Sequence, residues 1–301
     1  MRTASLAGPD RNGPQDERTS WRWQPKNESS VIVSVPSQVR CYNDPGLFGP
    51  SPVGDMMADR NTPISEHTVR EVALAMPISV PVFVHVGIEY SCGGDLRVAD
   101  ACRQVGLTTE ALWALIEEAG NQPVPHDLEF WHNASPVALM DHIVHRYHEP
   151  LRKELQRLES LVSKVIIRHG ETYPQVHKLG RLITALGREM ELHMVKEERV
   201  LFPLIKRLDA ALGRGMTDQA TAHQLLPPLR LMLSDHDSIM GLVAALRDES
   251  DGYSVPPGVS ASYHLLCSGL RGLQQDIQLH LHLENNVLFG AARDMLVACG
   301  L

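Results

Sequence analysis

Two segments of the sequence echo each other. His193-Met-Val-Lys-Glu197-Glu-Arg-Val-Leu-Phe202 and His280-Leu-His-Leu-Glu284-Asn-Asn-Val-Leu-Phe289 both read H-x-x-x-E-x-x-V-L-F. On a helix, positions i and i+4 stand one above the other, so His193 with Glu197, and His280 with Glu284, offer an imidazole and a carboxylate to one ion or a close pair. One such pair could be an ordinary surface pair. Two copies with matching apolar tails, which should pack a core beneath, argue for metal chemistry. His148 in RYHE (146–149) and His236 in SDHD (234–237) fall between them, and the four histidines are separated by 45, 43 and 44 residues. Near-equal steps on alternating helices bring four imidazoles to one depth, with Glu197 and Glu284 a turn away.

The other histidines sort by direction. His142, His145 and His148 point about 60° apart on a helix, and the offset of 87 residues shared by His193–His280 and Glu197–Glu284 favours His148 as the partner of His236. His282, about 200° round from His280, should point away from the metals. His169, His177, His223 and His264 lie nearer helix ends, where capping or exposure is expected. The chain holds 15 histidines, 13 of them between His126 and His282, but only 5 scattered cysteines. Imidazole and carboxylate ligands are therefore expected rather than thiolates.

Four long helices must position these residues. They are expected at about 136–165, 175–209, 219–248 and 259–297, with breaks at 169–174, 212–218 and 248–258, each carrying Gly or Pro. Short connections imply an antiparallel up-down bundle, so the fold class is all-α. Ser135-Pro136 suits the cap and first turn of the first helix. Before it, Asn121 to Ser135 reads as a linker, and residues 66–120 as a small module of short helices (66–76, 78–87, 95–105, 108–119) with a Cys-Gly-Gly turn at 92–94. Residues 1–62, rich in Pro, Gly, Ser and Asn, read as a disordered extension, with Val31–Val35 as a short strand without a partner. Residues 1–55 are expected to be dispensable, as an unstructured tail or as the product of a start assigned too far upstream. Three domains result: 1–62, 66–120 and 136–297.

A net charge of -8 argues against nucleic acid and anionic membranes as partners. No stretch reaches the ~20 apolar residues of a membrane span. The low cysteine count fits a reducing cytoplasm.

With RYHE, H-M-x-K-E-E-x-x-L-F-P (193–203), S-x-H-D (234–237) and L-E-N-N-V-L-F (283–289) in view, the bundle resembles a hemerythrin-like domain. More narrowly, it resembles the repair-of-iron-centres family, di-iron proteins that act on damaged iron-sulfur clusters. The resemblance spans roughly 66–295 and implies two iron ions, oxo- or hydroxo-bridged, on His148, His193, Glu197, His236, His280 and Glu284. Oxygen-carrying hemerythrins use five histidines, whereas four fall in this ring. The family's N-terminal module carries a Cys-Cys-Gly-Gly turn, but here Ser91 precedes Cys92, which removes the vicinal pair. Cys92 is thus a candidate single thiol, and Cys102 a distant partner for it. Glu189 and Asp235 are candidates for polar support of the ligands or an iron exit path. Two ferric ions with an oxide and two ferrous ions without it leave the buried site at the same net charge. Reduction would therefore loosen the iron without a charge change.

The expected function is assistance in repairing iron-sulfur clusters damaged by nitric oxide or oxidants, by iron donation. The rivals are a nitric-oxide-reducing enzyme, a reversible oxygen or nitric oxide sensor, and a zinc-loaded structural bundle. Expected partners are damaged iron-sulfur proteins as clients and nitric oxide or oxygen as ligands, with a homodimer left open.

Overall fold

A computed structural model of the chain describes residues 63–120, 131 and 134–301. The extension read at 1–62, its strand at Val31–Val35, and most of the linker at 121–135 lie outside the described residues. Among the described residues the regular structure is helical, apart from one isolated antiparallel bridge between Thr68 and Arg97.

Four short helices come first: α1 (Val69–Ala75), α2 (Ser79–Val86), α3 (Val98–Gln104) and α4 (Thr109–Gly120). Thr68 and Glu71 close a capping box at the start of α1, each side chain taking the other's backbone N–H. Gly87, at φ 80, ends α2 in the left-handed region that glycine enters without strain. Val69, Val72, Val82, Phe83, Tyr90, Val98, Leu112 and Ile116 form their shared core.

The bundle follows. α5 comprises Pro136–Ile143, a wide π turn at Val144–His148, and Glu149–His169. α6 comprises Gln175–Lys196, a π turn at Glu197–Leu201, and Phe202–Leu212. α7 runs unbroken over Gln219–Glu249, and α8 comprises Ala261–His282, a π turn at Leu283–Leu288, and Phe289–Ala298. Each long helix expected from sequence is present and runs slightly further than its last predicted residue. Ser135 caps α5 by accepting from the Ala138 N–H, with Pro136 in the first turn. Leu151, Leu155, Leu158, Val162 and Val165 recur every three or four residues and lay one buried face along α5. α5 packs against α6 and α8, and α7 against α6.

The π turns coincide with three of the liganding segments. Pro150 and Pro203 sit just after two of them. Proline lacks an N–H and collides with the carbonyl four residues back, and a widened turn relieves both defects without ending the helix. The turn at Leu283–Leu288 contains no proline, and the sequence offers no such signal for it.

The apolar interior of the bundle is two clusters rather than one. Leu151, Met190, Met194, Ile239, Ile277 and Leu281 belong to one, and Ile143, Leu201, Met232, Leu283, Leu288 and Phe289 to the other. On each helix the metal-type side chains lie where one cluster gives way to the other. Of the two V-L-F tails, Leu201, Phe202, Leu288 and Phe289 are buried, but Val200 is 46% exposed. The π turn at Glu197–Leu201 rotates Val200 outward, which corrects the expectation that the whole tail packs inside. Among the described residues, no helix is long and apolar enough to cross a membrane.

Candidate metal centre

α5 contributes His148, α6 His193 and Glu197, α7 His236, and α8 His280 and Glu284, all at most 1% exposed. They form two groups that can each hold an ion: His148, Glu197, His280 and Glu284, and His193, Glu197, His236 and Glu284, with the ligand atoms of each group within 4.8 Å of one another. Both glutamates belong to both groups. In the first, His148 Nε2 lies 3.1 Å from His280 Nε2, 3.4 Å from Glu197 and 3.8 Å from Glu284. His280 Nε2 is 2.6 Å from Glu284 Oε1. In the second, His193 Nε2 is 3.2 Å from Glu197 Oε2 and 3.7 Å from Glu284 Oε2. His236 Nε2 is 3.2 Å from Glu284 Oε2.

Buried polar atoms normally find partners, because leaving one unpaired costs roughly 1–3 kcal/mol. Here both Glu197 carboxylate oxygens, Glu284 Oε2, both ring nitrogens of His193, His236 Nε2 and His280 Nδ1 are buried without a hydrogen bond. Orphans on five of the six convergent side chains fit a group that accepts lone pairs. The nitrogen and oxygen donor set suits a borderline or hard cation such as iron.

The electrostatics of the protein alone agree. Burial opposes a charged His148, but the nearby carboxylates of Glu197 and Glu284 raise it to about 9. Burial likewise works against His193, and the charge of Glu197 together with the nearby Glu284 carboxylate raises it to about 10. Burial and mutual repulsion would raise Glu197, yet His193 and His148 hold it below the usual carboxylate range. Burial pushes Glu284 up, but the charge of His280 and the nearby imidazoles of His148, His193 and His236 bring it well down. Burial keeps His280 low. Protons thus do the balancing that a cation would otherwise do.

Outer contacts aim the rings. His148 Nδ1 donates to Glu198 Oε1 at 2.8 Å, and Arg152 Nη2 binds the same oxygen at 3.0 Å. His236 Nδ1 donates to Asn285 Oδ1 at 2.8 Å. Each bond leaves Nε2 facing the centre. Asp235 Oδ2 lies 4.0 Å from His193 Nδ1 and takes Lys196 Nζ at 2.6 Å.

Residues 139–292 match the hemerythrin HHE cation binding domain. The chain is also 32% identical over 237 residues to the iron-sulfur cluster repair protein YtfE of Citrobacter koseri, an alignment that takes in 78% of this chain and 98% of the relative. The same figures hold for proteins of that name from Escherichia coli O17:K52:H18 and Shigella boydii serotype 4. The chain belongs to this hemerythrin-like family of iron-sulfur cluster repair proteins.

Of the supporting residues expected in this family member, Asp235 stands beside the centre and Glu189 does not. Glu189, one turn before His193 on α6, is exposed, whereas its neighbour Met190 takes the buried position there. Glu198 takes the supporting part, through its bond to His148 on the neighbouring helix. His142 and His145 stay out of the ring: His142 stacks on Trp131, and His145 is exposed with Nδ1 on the Asp141 carbonyl. His282 is buried away from the centre, its Nδ1 taking the Asn286 amide at 2.8 Å. His169 Nε2 accepts from the Ser260 N–H at 3.2 Å and so caps α8.

The turn before α3 is hydrogen-bonded to α8. Asn285 Nδ2 donates to the Ser91 carbonyl at 2.9 Å and lies 3.6 Å from Cys92 Sγ. Asn286 Nδ2 donates to the Tyr90 carbonyl, and Arg70 Nε to Asn286 Oδ1. Glu89 accepts from the Ser91 and Cys92 N–H groups and from Gln278. The hydroxyl of Ser91, which stands where the family's turn has its first cysteine, also bonds to Glu89. Cys92 is half-buried, and Cys102, Cys267 and Cys299 are buried, none in a disulfide.

Proposed function

We propose that the chain helps restore iron-sulfur clusters damaged by nitric oxide or oxidants, and that it does so by donating iron held on His148, His193, Glu197, His236, His280 and Glu284. The observation that carries this reading is the sharing of both buried glutamates by two four-residue groups. The relatives' name supplies the repair half of it. Bound iron supplies a pair of redox-active ions that can be released when reduced.

The chain's own residues determine how tightly such cargo is held. Glu198 and Asn285 fix two rings from behind and favour retention. Asp235 and Lys196 offer a polar, partly exposed way out past His193. Damaged iron-sulfur proteins are the clients in this reading, and the cytoplasm is the place where they would be met.

The test is anaerobic incubation of the iron-loaded chain with an iron-sulfur enzyme inactivated by nitric oxide. Recovery of client activity with matching loss of iron from the chain is expected, and Glu284→Ala should abolish both. Catalytic formation of nitrous oxide without client recovery would favour the reductase reading instead.

A further inference from the structure

A row of rings leads from the start of α5 to the centre. The Trp131 indole stacks on the His142 imidazole with centroids 3.8 Å apart and planes at 20°. His142 meets the Tyr147 ring edge-on at 5.8 Å. Tyr147 lies nearly parallel to the His280 ring, with planes at 10° and centroids 5.5 Å apart. Burial deepens along the row: Trp131 and His142 are half-buried, Tyr147 is buried, and His280 is fully enclosed. Both contacts of Tyr147 fall in the usual range for ring pairs, and the Trp131–His142 stack is closer still.

Tryptophan and tyrosine are the ring side chains that yield an electron most readily. Placing one at the surface end of such a row and the other at its inner end makes a chain of donors. The Arg146 guanidinium sits 4.9 Å from the centre of the Tyr147 ring. A cation there disfavours a positively charged ring, so oxidation of Tyr147 goes with loss of its phenolic proton.

We propose that Trp131, His142 and Tyr147 form an electron conduit between the surface and His280, draining one-electron oxidising equivalents outward from the centre to a low-molecular-weight thiol. This rests on the reading of His280 as a metal ligand. Tyr147 gives up one electron inward, and its phenolic proton goes to water. The phenoxyl then takes an electron from Trp131 through the His142 stack and a proton from water. A thiolate at the surface returns an electron to the indole. After two passages, two thiols have joined in one disulfide, with their two protons released. Hydrogen peroxide, the oxidant, has taken up two electrons and two protons, its O–O bond broken to give two waters. The aromatic side chains end as they began. His142, which is not a member of the ring of ligands, acts as the bridge.

The test uses the metal-free full chain, where the metal reading plays no part. Photogenerated ruthenium(III) tris-bipyridyl oxidises accessible indoles, and transient absorption follows the tryptophanyl and tyrosyl radicals. Wild type should show tyrosyl growing as tryptophanyl decays. Tyr147→Phe and Trp131→Phe should each lose that phase, although Trp113, 38% exposed, is still oxidised. His142→Leu should slow it, with unchanged melting showing that the fold is kept. A tyrosyl signal unaltered in Tyr147→Phe or Trp131→Phe overturns the conduit and leaves the Trp131 stack as a mere anchor for α5. In the iron-loaded chain treated with hydrogen peroxide, peptide mass spectrometry should find oxidised Trp131 in wild type and not in Tyr147→Phe. A chain that takes up no iron yet passes the metal-free test overturns the metal reading instead.

Discussion

The orientation of His236 depends on an amide. Asn285 Oδ1 accepts its Nδ1–H, and the same side chain donates to the Ser91 carbonyl. One residue therefore sets the ring's tautomer and ties it to the turn beside Cys92. Replacing it by leucine, close in size, removes the acceptor and leaves His236 free to turn. Metal affinity in Asn285→Leu should fall about 10–100-fold, the usual effect of losing an outer-shell partner, as measured by competition with a chelator. Unchanged affinity would mean that packing alone holds the ring. His142→Ala should leave metal content unaltered, since its ring contacts are with Trp131 and Tyr147. The six ligand-type residues were legible because two constraints act on one line of sequence: i to i+4 spacing within a helix and equal offsets between helices. Asn285 and Glu198 were not legible as supports, because each meets a ring on another helix, and Asn285 also reaches Ser91, 194 residues away. No local pattern encodes such a pairing.

At the scale of elements, breaks rich in glycine and proline were enough to place four helices. The π turns were hidden, because a single widened turn barely disturbs an apolar stripe that keeps its face on both sides. Their effect surfaced at Val200, turned out to solvent where a regular period had it packed. The docking turn is similarly exacting. A Cβ on Gly94 would lie 3.0 Å from the Arg70 Cβ and 3.3 Å from the Tyr90 carbonyl, and Arg70 in turn holds Asn286. Gly94→Ala should therefore cost about 1–3 kcal/mol, as overpacking does, read from urea unfolding. Wild-type stability in that variant would show that the turn yields easily.

Across the whole molecule, a charged layer divides two apolar clusters, and its protons enter the stability balance. His148 and His193 bind protons more tightly in the folded chain, at about 9 and about 10, than at the ~6.5 of unfolded histidine. Their contribution is complete below that value and is lost as pH rises through the folded ones. Glu197 and Glu284 are depressed and act at the opposite end, losing theirs as pH falls into the acid range. The metal-free chain should thus unfold at progressively lower urea concentration between about pH 6.5 and 10, and a His148→Gln, His193→Gln double variant should lose that slope. A flat profile in the unmodified chain would contradict the charge balance drawn here. The central claim is that two ions share both glutamates, and ferrous titration of the metal-free chain under anaerobic equilibrium dialysis tests it most directly. About two irons per chain are expected, as for di-iron carboxylate bundles, with His236→Ala keeping the ion on His148 and His280 while Glu284→Ala loses both. A single ion per chain, or a Glu284→Ala variant that still binds the full complement, would contradict it.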